Sequence, residues 1–266
     1  MPEAGGTSTQ SGIYYQNSVA ALALSDLLSF DQFVRREQVV EVRVEAPGSI
    51  DDLVIRYADG HRDFRSIKLS LRKGSIAWTN LWKGFGAQYH CSELGLGDKF
   101  SIVVETETVA SRVVSDICAV AESSPDSTEF RSRMTDAQQS TVTSIVDVLG
   151  SEETAFNIFR RTMVIVLPSI QIEREFANKR PTGEHPAPEN LLTVLRDIVG
   201  GEARRRGLFL STSLRRRLYS EHGIRLAEPI EWGLDAYRAY LKRRSRIEIP
   251  GTGITRPADD LFVWPR

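Results

Sequence analysis

Apolar and polar residues alternate along the chain between Val40 and Leu71, and this pattern predicts three short β-strands. A period of two residues is typical of a strand with one buried face. Turn residues separate the strands at Pro47-Gly48-Ser49 and at Ala58-Asp59-Gly60, and the second of these is a hairpin signal. The predicted strands are Val40–Ala46, Asp52–Tyr57 and Phe64–Leu71.

Helical spacing of apolar residues dominates most of the remaining sequence. An apolar helix over Ile13–Phe30 precedes the three strands, and a helix over Thr79–Ser92, capped by Thr79, follows them. Two further apolar runs predict strands at Phe100–Glu105 and Met163–Leu167. The segments with helical spacing beyond Thr108 are Val109–Glu122, Thr128–Met134, Asp136–Leu149, Ser151–Phe159, Ile170–Ala177, Leu191–Gly200, Ser211–Ser220 and Pro229–Arg244.

These elements predict an α/β fold, with a mixed sheet flanked by helices and a C-terminal helical lobe. We expect residues 1–180 to form the sheet-containing core, with residues 1–11 as a flexible leader. Residues 181–246 would form the helical lobe. Residues 247–266 contain two short apolar segments, Ile247–Gly251 and Asp260–Trp264, around a loop rich in Gly and Pro. They resemble the connector that leads into the NTPase domain of bacterial STAND defence proteins, and this resemblance implies a further domain downstream.

Composition excludes several classes of protein. The chain has 266 residues, of which 41% are hydrophobic and 26% charged, and its formal net charge is −1. No apolar run approaches the roughly 20 residues that span a bilayer. The two cysteines, Cys91 and Cys118, indicate neither a disulfide framework nor a zinc site. A reducing, cytoplasmic location fits these features best.

Basic residues are nevertheless concentrated late in the chain. They form clusters at Arg204-Arg205-Arg206, Arg215-Arg216-Arg217 and Lys242-Arg243-Arg244. Such clusters could hold a phosphate backbone, with Lys73 as a further phosphate contact. A solvated helix face balanced by acidic residues elsewhere is an equally good interpretation.

The candidate chemistry lies on the predicted hairpin. Asp52 opens the second strand, and Lys68 lies within the third, on the same face as Ser66. A carboxylate here suits Mg²⁺, and a neighbouring lysine could orient a metal-bound water and neutralise charge on a phosphate. The alternative is a surface hairpin in which Asp52 caps a turn and Lys68 is solvated.

Several residues around this hairpin resemble the restriction-endonuclease-like PD-(D/E)xK nuclease core. More narrowly, the chain is similar to the N-terminal double-stranded-DNA endonuclease domain of bacterial anti-phage effectors of the CBASS and Avs systems. The resemblance covers roughly the first hundred residues. The matching segments are Gly12-Ile13-Tyr14-Tyr15-Gln16, Val44-Glu45, Ile50-Asp51-Asp52-Leu53-Val54, Ser66-Ile67-Lys68 and Leu81-Trp82-Lys83-Gly84-Phe85.

The resemblance implies a DNA endonuclease dependent on Mg²⁺ or Mn²⁺. Asp52 would bind the metal, with Glu45 or Asp51 helping and the Ile67 carbonyl as a backbone ligand. Lys68 would orient the attacking water. Gln16, near the start of the first helix, is the polar group of that helix that we expect to face this site. Two of these residues have simpler alternative roles, since Glu45 could pair with Arg43 or Arg56 and Gln16 could hydrogen-bond to the backbone.

The resemblance also implies partners. The DNA-binding residues would be Lys73, Arg204, Arg205, Arg215 and Arg216. Self-association, driven by a downstream STAND-type NTPase or sensor domain, would activate the enzyme in antiviral defence. Where the family carries Gln or Glu, this chain has Ser66, so the alternative is a degenerate nuclease fold that binds DNA or a partner without catalysis.

Overall fold

The fold comes from a computed structural model that describes residues 10–29, 38–45, 52–178 and 188–226, together with the backbone of residues 4–9, 247–248 and 255–256. Several predicted features lie outside the described residues: the turn Pro47-Gly48-Ser49, Asp51, the helix over Pro229–Arg244 with the basic cluster Lys242-Arg243-Arg244, and the apolar segment Asp260–Trp264. The predicted α/β class, a mixed sheet flanked by helices, is confirmed.

Six strands form the main sheet, in the order β5-β4-β3-β2-β1-β6. The first three pair antiparallel, as the turn residues between them predict, whereas β3, β4 and β5 run parallel. The two-residue strand β6 pairs with β1 and has no clear signal in the sequence. The strands are β1 (Val39–Val44), β2 (Leu53–Tyr57), β3 (Arg62–Lys68), β4 (Lys99–Val104), β5 (Thr162–Val166) and β6 (Leu208–Phe209).

Helices connect the parallel strands and cover both faces of the sheet. Most begin close to their predicted positions, but α1 begins at Ala4, inside the predicted leader. Helix α2 begins at Ile76 rather than Thr79, because the Ser75 hydroxyl accepts a hydrogen bond from the Trp78 amide and caps the helix. The helices are α1 (Ala4–Leu28), α2 (Ile76–Tyr89), α3 (Val109–Glu122), α4 (Ser127–Ser132), α5 (Asp136–Leu149), α6 (Glu152–Phe159), α7 (Ser169–Asn178), α8 (Leu191–Ala203) and α9 (Ser211–His222).

Each face of the sheet has its own apolar core. On one face, α1, α7, α8 and α9 pack against strand residues such as Ile55, Ile67 and Val103. On the other face, α2 to α6 pack against Phe64, Phe100 and their neighbours. Successive strand residues contribute to opposite cores because side chains alternate across a sheet. The result is three layers with the sheet in the middle.

The chain divides into two compact units, Met1–Ala227 and Glu228–Arg266. Within the first unit, α8 and α9 pack against α1, so these helices belong to the same unit as the sheet. Within the second unit, β7 (Ile247–Glu248) pairs antiparallel with β8 (Thr255–Arg256). The predicted functional boundaries at residues 180 and 246 stay predictions.

Candidate functional site

Asp52 and Lys68 meet at the edge of the sheet where the parallel strands end. Strand β2 runs antiparallel to β3 and Leu53 pairs with Arg65, so Asp52 comes opposite Ser66, and Lys68 lies two residues further along the same face of β3. Lys68 Nζ donates a hydrogen bond to Asp52 Oδ2 at 2.7 Å. The alternative of a capping aspartate and an independently solvated lysine is therefore excluded.

Three further donors converge on the Asp52 carboxylate. Oδ2 also accepts hydrogen bonds from the Ile67 amide at 2.7 Å and the Ser66 hydroxyl at 3.2 Å. Oδ1 accepts from Gln16 Nε2 on α1, at 3.0 Å. Both carboxylate oxygens thus have partners, as a charged group at low exposure requires. We call Gln16, Asp52, Ser66 and Lys68 the carboxyl-edge centre.

Exposure differs between the two charged members of this centre. The Asp52 side chain is 10% exposed, whereas that of Lys68 is 27% exposed. An ammonium group has three N–H donors, and here only one of them binds Asp52. Lys68 is therefore held in place by Asp52 while part of its side chain still faces solvent.

Glu105, which has no predicted role from the sequence, also lies at this edge, directly after β4. Its amide donates to the Lys68 carbonyl at 3.2 Å, and its Oε1 accepts a hydrogen bond from the Ser169 hydroxyl. Nearby, the Tyr15 hydroxyl donates to the Leu167 carbonyl at 2.9 Å. Burial, with a smaller contribution from the Glu105 charge, raises the pKa of Tyr15 well above its ordinary value. Tyr15 is therefore a neutral donor.

Helices add positive potential at the same edge. Helices α2, α3 and α7 each follow one of the parallel strands, so all three have their N-termini near the strand ends. The exposed N–H groups of a helix N-terminus carry partial positive charge, which favours anions. In open α/β sheets, ligands generally bind outside the carboxyl ends of the strands. The edge that holds Lys68 has both features.

The residues predicted to bind a metal are only partly gathered here. The Glu45 amide donates to the Asp52 carbonyl at 3.4 Å, and Glu45 adopts a φ of 47°, an uncommon backbone conformation for a residue with a side chain. The Ile67 carbonyl lies 3.5 Å from Gln16 Nε2, and Asp51 is outside the described residues. Within the described ranges, no group of three or more His, Cys, Asp or Glu side chains is arranged to hold a metal ion. The Mg²⁺ or Mn²⁺ ion stays a prediction.

The predicted DNA-binding residues do not share one surface. Lys73 donates to hydroxyl groups of α5, in the layer on one face of the sheet. Arg215 belongs to the opposite layer and donates to the Leu28 carbonyl at 2.7 Å, which joins α9 to α1. Arg205 lies 3.8 Å from Glu202 and is largely exposed, and the side chains of Arg204 and Arg216 are exposed as well.

Comparison with known proteins gives a distant structural likeness. No protein-family model matches the sequence, and no curated protein matches it. One similar structure is an Acinetobacter baumannii Cap4 SAVED/CARF-domain containing receptor with the cyclic trinucleotide 3′3′3′-cAAA. The match covers 80% of this chain and 46% of the receptor chain, with a TM-score of 0.49 and 12% sequence identity. A Moraxella osloensis Cap4 receptor matches 80% of this chain and 48% of its own at a TM-score of 0.43 and 14% identity.

These comparisons correct the expected family and function. The similar structures are of SAVED/CARF-domain containing receptors, and one contains a cyclic trinucleotide, whereas we expected a restriction-endonuclease-like domain that cuts duplex DNA. The predicted endonuclease is wrong on this finding, and the degenerate DNA- or partner-binding module is unsupported. The chain spans about half the length of these receptors. At such low identity and TM-score, we transfer no residue role from them.

The length and apolar character of the described helices bear on membrane association. In the part of the chain that the structure describes, no helix is both long and apolar enough to cross a bilayer. This finding agrees with the absence of a long apolar run in the sequence. The predicted cytoplasmic location stays a prediction.

Proposed function

We propose that this chain is a ligand-binding module of an antiviral defence protein, and that its carboxyl-edge centre binds a phosphodiester group of a small oligonucleotide. The observation that carries the proposal is Lys68, an ammonium group anchored by Asp52 and still 27% exposed. The setting in antiviral defence is consistent with the Cap4 receptors.

The charges of the centre suit such a ligand. Asp52 would repel a phosphodiester if its charge were unbalanced, but it accepts hydrogen bonds from four donors, one of them the Lys68 ammonium. The remaining N–H donors of Lys68 can bind phosphodiester oxygens. Three helix N-termini at the same edge supply further positive potential. The fixed position of Lys68 lowers the entropic cost of ordering its side chain on binding.

A cyclic trinucleotide is the first probe to use, because one of the similar receptors was solved with 3′3′3′-cAAA. Duplex DNA is the matched comparison, since it carries the same phosphodiester chemistry on a different scaffold. We expect the cyclic trinucleotide to bind. We expect duplex DNA to bind only weakly and to lose this binding when the salt concentration is raised.

Calorimetric titration of 3′3′3′-cAAA into the protein and into Lys68→Ala tests the proposal. A charge-assisted hydrogen bond contributes about 1.5–3 kcal/mol, so we expect the substitution to weaken binding about tenfold or more. Lys83→Ala, which alters an exposed lysine on α2, is the control and should bind as the unaltered protein does. Equal affinity in Lys68→Ala and Lys83→Ala would overturn the proposal, as would no binding at all.

Other expectations from the sequence stay predictions. They are enzymatic activity, the divalent cation, self-association and a downstream domain in the same polypeptide. Titration with and without Mg²⁺ tests whether a cation takes part in ligand binding, and light scattering with and without the trinucleotide tests self-association.

A further inference from the structure

A second candidate ligand site lies at the opposite edge of the sheet, where the parallel strands begin. The pocket has a volume of about 450 Å³, within the range of about 300–1,000 Å³ that is usual for small-molecule sites. We call it the amino-edge pocket. The lining residues that could contact a ligand are Asp26, Gln38, Tyr57, His61, Arg65 and Lys99, and Asp63 lies beside Arg65.

The pocket is distinct from the carboxyl-edge centre. Asp63 lies near the start of β3 and Lys68 at its end. Five residue steps of about 3.3 Å separate the two positions along the strand, which is roughly 16 Å. A ligand of mononucleotide size in the pocket would therefore leave the carboxyl-edge centre free.

An ion pair between the buried Asp63 carboxylate and the partly exposed Arg65 guanidinium lines the pocket. Arg65 Nε donates to Asp63 Oδ2 at 2.7 Å, and the Ser101 hydroxyl donates to Asp63 Oδ1 at 2.7 Å. Burial alone would lower the pKa of Arg65, but the charge of Asp63 and hydrogen bonds to Asp63 and Tyr57 raise it overall. The guanidinium is thus a permanent cation. An arginine has five N–H donors, and Arg65 uses two of them for hydrogen bonds to Asp63 and Tyr57, so donors remain for a ligand.

Two aromatic rings form another part of the lining. Tyr57 and His61 are stacked, with ring centroids 4.3 Å apart and an angle of 9° between the planes. The Tyr57 hydroxyl accepts a weak hydrogen bond from Arg65 Nη2 at 3.4 Å. Burial is the main reason that the pKa of Tyr57 lies above its ordinary value, so the phenol is neutral at physiological pH. His61 Nδ1 also pairs with the Asp59 carboxylate, and the outer face of a stacked pair of this kind offers a flat aromatic surface to a planar ligand.

Lys99 supplies a cation at the rim. It is exposed, and among the described residues no ion pair or side-chain hydrogen bond of Lys99 is found. The carboxylate of Asp26 and the amide of Gln38 lie on the same lining and can accept or donate hydrogen bonds. The pocket thus combines a flat aromatic pair, the two cations Arg65 and Lys99, the two carboxylates Asp26 and Asp63, and the Gln38 amide.

From this combination we propose that the amino-edge pocket binds a nucleoside monophosphate. The planar base packs against the Tyr57–His61 pair, and the phosphate binds Lys99 and the remaining donors of Arg65. Asp26 and Gln38 bind polar groups of the base or ribose. The inference does not depend on the function proposed above, because it concerns different residues at the other end of the sheet.

Titrations with 5′-AMP, adenosine and inorganic phosphate test this inference. We expect AMP to bind the unaltered protein more tightly than either fragment does. Lys99→Ala should weaken AMP binding at least fivefold and leave adenosine unchanged, whereas His61→Ala should weaken both. Both altered side chains lie at or near the surface, so the variants are expected to fold.

Lys68→Ala and Lys83→Ala are the controls and should bind AMP as the unaltered protein does. This outcome separates the inference from the proposed function, which predicts loss of trinucleotide binding in Lys68→Ala. No AMP binding by the unaltered protein would overturn the inference. Unchanged AMP affinity in both Lys99→Ala and His61→Ala would overturn it too, as would loss of AMP binding in Lys68→Ala.

Discussion

The two ends of strand β3 each hold an acid–base pair, and the two pairs differ in how they are built. Asp52–Lys68 and Asp63–Arg65 have the same N···O distance of 2.7 Å. Asp63 and Arg65 are two residues apart on one strand, so their side chains share a face of the sheet by alternation alone. Asp52 and Lys68 come from two strands, and Gln16 of α1 completes their centre.

Burial separates the pairs further. The exposed fractions are 6% and 20% for Asp63 and Arg65, and 10% and 27% for Asp52 and Lys68. The Asp63 carboxylate binds Ser101, a fully buried residue on the neighbouring strand. The comparison indicates that the amino-edge pair mainly stabilises the fold and offers the spare donors of Arg65, whereas the carboxyl-edge centre presents an ammonium group that Asp52 anchors and that is partly exposed.

The largest expected effect is on Asp63. We expect Asp63→Ala to lower the free energy of unfolding by about 3–5 kcal/mol, because it leaves the Arg65 guanidinium and the Ser101 hydroxyl without their buried acceptor. Urea denaturation monitored by fluorescence measures the change. Asp116→Ala, at an exposed position on α3, is the control and should change stability by no more than about 0.5 kcal/mol. A loss of unfolding free energy in Asp63→Ala no greater than in Asp116→Ala would contradict the structural role of Asp63.

Asp52 should show a smaller effect. We expect Asp52→Ala to lower the free energy of unfolding by about 2 kcal/mol, because the buried Ile67 amide loses its acceptor while the more exposed Lys68 can turn to water. The same urea denaturation gives the value. A loss as large as that of Asp63→Ala would remove the distinction drawn between the two edges.

The smallest effect concerns the tyrosines at the two edges. Tyr15→Phe removes a buried 2.9 Å hydrogen bond and should cost about 1 kcal/mol, whereas Tyr57→Phe removes a 3.4 Å contact and should cost less. A larger loss of unfolding free energy for Tyr57→Phe than for Tyr15→Phe would contradict the conclusion that the Tyr15 hydrogen bond is the stronger of the two.

Alkaline pH sharpens the comparison. The folded-state pKa of Tyr15 is raised above the value of about 10 in the unfolded chain. The neutral Tyr15 phenol therefore makes its full contribution to the free energy of unfolding below about pH 10. This contribution is lost as the pH rises further, because the unfolded chain then releases the proton more readily than the folded chain does. We expect unfolding at pH 10.5 to need less urea than at pH 8, and Tyr15→Phe to reduce that difference. An unchanged pH dependence in the variant would be evidence against the buried neutral phenol.

Much of this arrangement follows from local sequence pattern. The alternation around the hairpin predicts that Asp52 and Lys68 lie side by side, and the position of Gln16 near the start of an apolar helix predicts that it faces them. Both placements are found. Short-range periodicity and turn residues suffice here because a hairpin fixes its own register.

Other features depend on long-range packing that no local pattern encodes. Glu105 reaches this edge only because β3 and β4 run parallel, and the parallel pairing follows from the whole chain path. Strand β6 has two residues and forms only because α8 returns the chain to β1. The expected nuclease family was wrong for a related reason, since a hairpin bearing an acid and a lysine does not by itself specify a function.

The measurement that tests the central claim most directly is an amide NMR titration of the protein with 3′3′3′-cAAA. The amide of Ile67, which binds Asp52, and the side-chain amide of Gln16 report on the carboxyl-edge centre. We predict that both signals shift in proportion to bound ligand, while the amides of Asp63 and Lys99 at the other edge stay in place. Shifts confined to the amino edge, or no shifts at all, would contradict the account.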